Sequence, residues 1–293
     1  MAKKNKNTYY GSSVPLVEKN AAFTGAGLSF AAGESYKLLR TNLGFCLPDN
    51  GKKCHVIGIT SATQGEGKST TSVNLGYSLA EAGYHTLLMD CDMRLPTISA
   101  RLSLNAAPGL SNLIAGNSNG STVQQSGIQN NLYVVASGDI PPNPSELLTS
   151  DRMGVILDEF SKYYDYIVLD LPPVNIVSDA LAVSRLTDGI VLVVRENYSD
   201  KRSIRDAVAK FRFSNANILG FVLTCAGIDT KSGYKKTGTN YGKYRYGLSY
   251  ARYRKSARRH GYGGYGYGYD RGTDSYRQNA DILRSVSNAD KNE

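Results

Sequence analysis

The stretch that most constrains the fold is residues 55–82, "HVIGITSATQGEGKSTTSVNLGYSLAEA". An apolar run of strand length meets two closely spaced glycines, and a segment of helical period follows directly. The turn between them needs glycine. Without a Cβ, Gly65 and Gly67 let backbone N–H groups crowd around an anion at a helix N-terminus. A strand, a glycine turn and a helix opening on Gly-Lys-Ser-Thr form a phosphate loop. Its cradle is Gln64, Gly65, Glu66, Gly67, Lys68, Ser69 and Thr70. Lys68 can reach the β and γ phosphates of a nucleotide, and the Ser69 hydroxyl can ligate Mg²⁺. The usual pattern begins with glycine six residues before the lysine, whereas this chain has Ala62 there.

The rest of the chain to about residue 226 repeats the strand–helix alternation. Runs at 55–62, 85–90, 132–138, 164–172, 189–196 and 218–226 read as buried strands, and 33–42, 69–82, 145–161, 178–187 and 199–214 as helices. The strands are almost continuously apolar, as expected when both faces of a parallel sheet are covered. Right-handed crossovers then give an α/β, doubly wound, mainly parallel sheet of the P-loop NTPase type. Ligands of such sheets sit at the carboxyl ends of the strands. Three parts are expected: a flexible N-terminal segment (1–30), the P-loop domain (31–230) and a basic, Tyr/Gly-rich disordered tail (231–293).

The net charge of +9 comes from that tail. Residues 231–293 hold 14 Lys and Arg against 5 Asp and Glu, while residues 1–230 hold 20 of each. A basic tail suits nucleic acid, an anionic membrane face or an acidic protein. Cys46, Cys54, Cys91 and Cys225 show no CxxC pair and no metal-ligand spacing, which predicts free thiols in a reducing cytosol. The N-terminal lysines are followed by no apolar stretch, so no signal peptide is expected. No run approaches the roughly 18 apolar residues of a membrane span.

Further acidic residues gather where the strands end. "LLMDCDMR" sets Asp90 and Asp92 beside each other with Arg94 beyond, and "YIVLDLPP" ends a strand on Asp170. Two carboxylates two residues apart point the same way on extended chain, and near Lys68 they could hold Mg²⁺ and face an incoming hydroxyl. Asp170 stands where an aspartate supports the magnesium of a P-loop enzyme. No Asn-Lys-x-Asp guanine reader occurs, which favours ATP. Two other patterns carry little. "GYGGYG" (261–266) matches a dinucleotide motif but neither follows a strand nor opens a helix. His55, His85 and His260 are scattered and suggest no triad or metal cluster.

Residues 30–228 and the tail resemble a bacterial tyrosine kinase of the polysaccharide co-polymerase group, in the form whose kinase is a separate cytosolic chain. The resemblance rests on "ESYKLLRTNL", "SATQGEGKST", "LLMDCDMRLP", "PGLSNLIAG", "SGDIPPNPSELL", "DYIVLDLPPV" and "SDALAVSRLTDGIVLVVR". It implies ATP and Mg²⁺ as cofactors, with Lys68 and Ser69 on phosphates and metal. It also implies that Asp90 orients the attacking tyrosine hydroxyl, that Asp92 and Asp170 support metal and water, and that Arg94 belongs to the same motif. A ring of subunits is implied through Glu34, Lys37 and Arg40, with lysine where that family has arginine. So are a membrane-embedded polysaccharide co-polymerase activator, an opposing tyrosine phosphatase, and recruitment of a cytoplasmic chain to the inner face of the plasma membrane. The family usually has proline where Gln64 stands, and tends to have asparagine where Thr224 stands. "GDIPPNPSELL" carries the resemblance without a generic physical reading.

The resemblance also accounts for the tail. Between Tyr234 and Tyr276 lie 11 of the 21 tyrosines, with glycine and basic residues between them. Phosphoacceptors are expected among Tyr241, Tyr244, Tyr246, Tyr250, Tyr253, Tyr262, Tyr265, Tyr267 and Tyr269. Each phosphate adds about −1.5 to −2 charges, so roughly five would cancel the basic excess. The alternative is a P-loop ATPase of the partitioning type whose Arg/Gly/Tyr tail binds nucleic acid or membrane. Such ATPases carry a lysine five residues before the loop lysine; here that position is Thr63, so nucleic acid is the less expected partner.

Overall fold

A computed structural model describes residues 24–48, 51–118 and 122–226. The tail beyond residue 230, with all nine expected acceptor tyrosines, lies outside the described residues. In chain order the elements are α1 (Phe30–Cys46), β1 (His55–Ser61), α2 (Lys68–Glu81), β2 (Thr86–Asp90), α3 (Ile98–Leu102), α4 (Leu110–Ile114), β3 (Val123–Gln125), β4 (Leu132–Val135), α5 (Pro144–Thr149), α6 (Asp151–Ser161), β5 (Tyr166–Asp170), α7 (Asp179–Ser184), β6 (Gly189–Arg195), α8 (Lys201–Phe213) and β7 (Ile218–Thr224).

The seven strands form one sheet in the order β3-β4-β2-β5-β1-β6-β7. Every pairing is parallel except β3 with β4, so the doubly wound fold expected from the apolar runs is what the chain adopts. Two apolar layers cover it. One packs α6, α7 and α8 on the sheet through Phe160, Met153, Val183 and Phe211. The other packs α2 and α1 through Val73, Leu75, Leu79 and Leu43. No described helix is long and apolar enough to cross a membrane.

Several details differ from the sequence reading. Helix 33–42 extends to Phe30–Cys46 because Ser29 caps it, accepting from the N–H of Ala32. Residues 24–28, expected in the flexible segment, are placed on α2, where Asn74 accepts from the N–H of Gly25. The helix expected over 145–161 is two helices. Ser150 is extended (φ −66°, ψ 149°), closes α5 and opens α6, and its hydroxyl donates to Leu147 O at 2.7 Å. Strand β7 lies at the sheet edge rather than buried inside it, leaving Phe221 and Leu223 each 56% exposed.

The "PGLSNLIAG" stretch has a clear packing role. The N–H groups of Leu110 and Ser111 donate to Ala136 O and Ser137 O, drawing the start of α4 against the chain leaving β4. A Cβ at Gly109 would lie 2.2 Å from Gly138 N and 2.4 Å from Ala136 O, both backbone. Gly109→Ala is therefore expected to cost about 3 kcal/mol or more. At Gly58 the added methyl would crowd the side-chain tips of Ile190 and Leu171, at 2.5 and 2.9 Å, and no backbone atom. Those tips can turn away, so Gly58→Ala should cost about 1 kcal/mol. Urea unfolding of the two variants decides it; equal losses would refute the distinction.

Candidate active site

The site forms at the carboxyl ends of β1, β2 and β5. Strand β1 ends at Ser61 and α2 begins at Lys68. Gly65 and Gly67 between them have φ of 80° and 96°, a left-handed conformation that side chains resist. Lys68 Nζ meets Asp92 Oδ2 at 2.7 Å, with both side chains nearly buried. Burial works against the lysine charge, but Asp170, Asp92 and Asp90 more than offset it and hold its pKa above the usual lysine value.

Asp90 and Asp170 are register partners at the ends of β2 and β5. Both are fully buried. Ser72 Oγ donates to Asp170 Oδ1 at 2.9 Å, whereas Asp170 Oδ2 is buried without a hydrogen-bond partner. Burial raises the Asp170 pKa, and Lys68 with the hydroxyls of Ser69 and Ser72 draws it only part of the way back. Asp90 is pushed up to about 8, first by burial and then by the charge of Asp170.

The two carboxylates of "DCD" do not share a direction. β2 ends at Asp90, so strand alternation stops before Asp92. Asp90 Oδ1 accepts from the N–H of Asp92, and Oδ2 from those of Thr97 and Ile98. Asp90 thus fastens the loop 92–98, while Asp92 turns to Lys68 and accepts from the N–H of Leu95.

Arg94, on that loop, is tied down by partners far away in sequence. Its Nε and Nη2 donate to the two carboxylate oxygens of buried Asp179 at 2.9 and 3.2 Å, and Nη2 also donates to Ser145 Oγ. Ser145 in turn donates to Asp179. This gives "PPNPSELL" a physical reading: α5 delivers Ser145 to the Arg94–Asp179 pair, a forked charge-assisted contact.

Glu66, expected in the cradle, is fully buried and accepts from the N–H of Thr63 at 2.9 Å and from the Ser199 hydroxyl. The sequence reading missed Ser199 and other residues around the loop. Arg195, Tyr198 and Thr224 donate to loop carbonyls. Arg101 Nη1 reaches Thr70 Oγ1 at 3.1 Å. The weak signal for these is that all follow or end strands β6 and β7, or sit on α3, at the ligand edge of the sheet. Of the expected ring residues, Lys37 pairs with Glu34 and Glu81, and Arg40 donates to the backbone and hydroxyl of Ser78.

Magnesium fits this donor set. Among the described residues no group of three or more His, Cys, Asp or Glu side chains cages a metal by itself. Magnesium beside a nucleotide needs no such cage, since one or two carboxylates complement the phosphates and waters. The unpartnered oxygen of Asp170, next to Ser69 and close to Asp92, supplies the hard donor it requires.

Residues 54–218 match the AAA domain family, so the loop and its carboxylates belong to a P-loop nucleotide-binding domain. The tyrosine-protein kinase CpsD of Streptococcus pneumoniae serotype 4 is 37% identical over 193 residues, covering 66% of this chain and 83% of that protein. The tyrosine-protein kinase YwqD of Bacillus subtilis is 34% identical over 206 residues, covering 70% and 86%. The kinase domain of Escherichia coli tyrosine kinase ETK superposes with a TM-score of 0.67 at 28% identity, over 82% of this chain and 88% of that one. The chain belongs to the bacterial tyrosine kinases.

Proposed function

We propose that the chain is an ATP- and Mg²⁺-dependent protein-tyrosine kinase that phosphorylates its own tail tyrosines, Tyr241 to Tyr269, between subunits. In this reading it regulates capsular or extracellular polysaccharide synthesis and export. The observation that carries the chemistry is the buried cluster of Lys68, Asp92 and Asp170 beside the glycine loop, with one Asp170 oxygen unpartnered. The named kinases among its relatives favour this over a partitioning-type ATPase.

Phosphoryl transfer passes through a loose transition state and depends on positioning and charge more than on a strong base. Lys68, kept charged by its carboxylates, presents a cation to phosphate oxygens. Ser69, Asp92 and Asp170 would hold magnesium, which when bound neutralises charge building on the phosphates. A tyrosine hydroxyl, with a pKa of about 10, arrives protonated. Asp90 is assigned to the acceptor side, where it sets the course of the loop carrying Asp92 and Arg94. Glu34, Lys37 and Arg40 on α1 are assigned to a ring interface. Recruitment of the cytoplasmic chain to the membrane by a polysaccharide co-polymerase activator, and reversal by a tyrosine phosphatase, complete the proposal.

The test is incubation of the purified chain with ATP and Mg²⁺, with and without the cytosolic segment of a candidate activator, followed by mass spectrometry of residues 227–293. Phosphate on several of the nine tyrosines is expected. ATP hydrolysis without phosphotyrosine, activator present, would overturn the kinase reading.

A further inference from the structure

We infer that Tyr198, Arg195 and Thr224 form a clasp on the outside of the glycine loop and act as positioning residues for nucleotide binding. The inference rests on the reading that this loop holds nucleotide phosphates, and it adds residues outside the loop that set its shape.

Three successive loop carbonyls each accept from a different side chain. Tyr198 Oη donates to Gln64 O at 3.1 Å, Arg195 Nη1 to Gly65 O at 3.1 Å, and Thr224 Oγ1 to Glu66 O at 2.6 Å. In a trans peptide the C=O and the following N–H point in opposite directions. Fixing these carbonyls outward therefore turns the N–H groups of Gly65, Glu66 and Gly67 to the inner side of the loop, where an anion would sit.

The clasp is itself braced. The Arg195 guanidinium lies 5.0 Å from the centre of the Tyr198 ring, within cation–π range. Ser199, next along the chain, donates to the buried Glu66 carboxylate from the same turn. Gly65 leaves room for it, since a Cβ there would come within 3.2 Å of Tyr198 Oη.

This arrangement bears on Gln64, whose carbonyl the Tyr198 hydroxyl holds. A proline ring would fix the backbone from within, whereas here Tyr198 fixes the same residue from outside. The hydroxyl touches the loop's outer face, so its loss should lower the population of the binding-competent loop without removing a phosphate contact.

The experiment is titration of the full chain with fluorescent ADP and Mg²⁺. Tyr198→Phe keeps the ring and loses one hydrogen bond, so its Kd should rise about two- to tenfold. Thr224→Val should do the same, while kcat at saturating ATP stays near wild type because the clasp acts on binding. Adding Gln64→Pro to Tyr198→Phe should recover most of the affinity. Tyr163→Phe, which removes another part-exposed hydroxyl beyond α6, should leave the Kd unchanged. Wild-type affinity in Tyr198→Phe would overturn the clasp, and so would a loss that Gln64→Pro fails to recover. A wild-type chain that takes up no nucleotide would refute the loop reading itself, and the clasp with it.

Discussion

Asp170→Asn should give a protein more stable than wild type and with little kinase activity left. Asp170 shares its buried site with Asp90 and Asp92, and Lys68 is the cation among them. Burial and carboxylate neighbours raise the pKa of both Asp170 and Asp90, so ionising this cluster works against the folded protein. Asparagine has the same shape, and its Oδ1 can still accept from Ser72. It removes one negative charge from a site with a negative excess. A gain of about 1 kcal/mol, or about 2–4 °C in a domain of this size, is expected without magnesium. Transfer to tail tyrosines should fall by about 10²–10³-fold, because the oxygen that would support the metal is gone. Thermal unfolding in EDTA and phosphotyrosine mass spectrometry check the two halves separately. A drop in stability would mean that the Asp170 charge is already compensated. Retained activity would remove Asp170 from the metal.

Such a trade is legible only in part from the sequence. The loop could be read directly because its chemistry demands glycine where φ is positive, and Gly65 and Gly67 meet that demand. The larger strands could be read because buried parallel strands are apolar throughout. Five-residue helices such as α3 and α4 have too few turns to show a period, and Ser150 breaks a segment whose apolar pattern runs on across the break. β7 is apolar in sequence yet half open in the fold, since composition does not show which strand ends at the sheet edge. Contacts between distant residues were hidden altogether. Arg94 finds Asp179 across 85 residues, and Tyr198 finds Gln64 across 134. Neither partner carries a local signal, because a salt bridge or an outward carbonyl depends on where the chain returns, not on what surrounds it in sequence.

Lys68→Met should reverse the stability effect while also abolishing activity, and the contrast between the two variants is the sharper test. Methionine keeps an unbranched apolar stem but removes the cation that faces Asp92 at 2.7 Å. Three carboxylates then remain near one another with little solvent, and breaking a buried pair from one side costs more than the pair itself contributes. A loss of about 2–4 kcal/mol is expected, reduced from the full penalty because the carboxylates can take up protons. The chain should form no phosphotyrosine alone. Mixed with an active chain whose nine tail tyrosines are changed to Phe, it should gain phosphate on its own tail, since it remains a good acceptor. An unlabelled tail in that mixture, with the active chain still turning over ATP, would mean that transfer occurs within a chain and that the ring residues on α1 serve another purpose. If Lys68→Met instead matched wild type in stability and Asp170→Asn gained nothing, the cluster would already be neutral without metal. Its charges would then arise only when the nucleotide brings magnesium in.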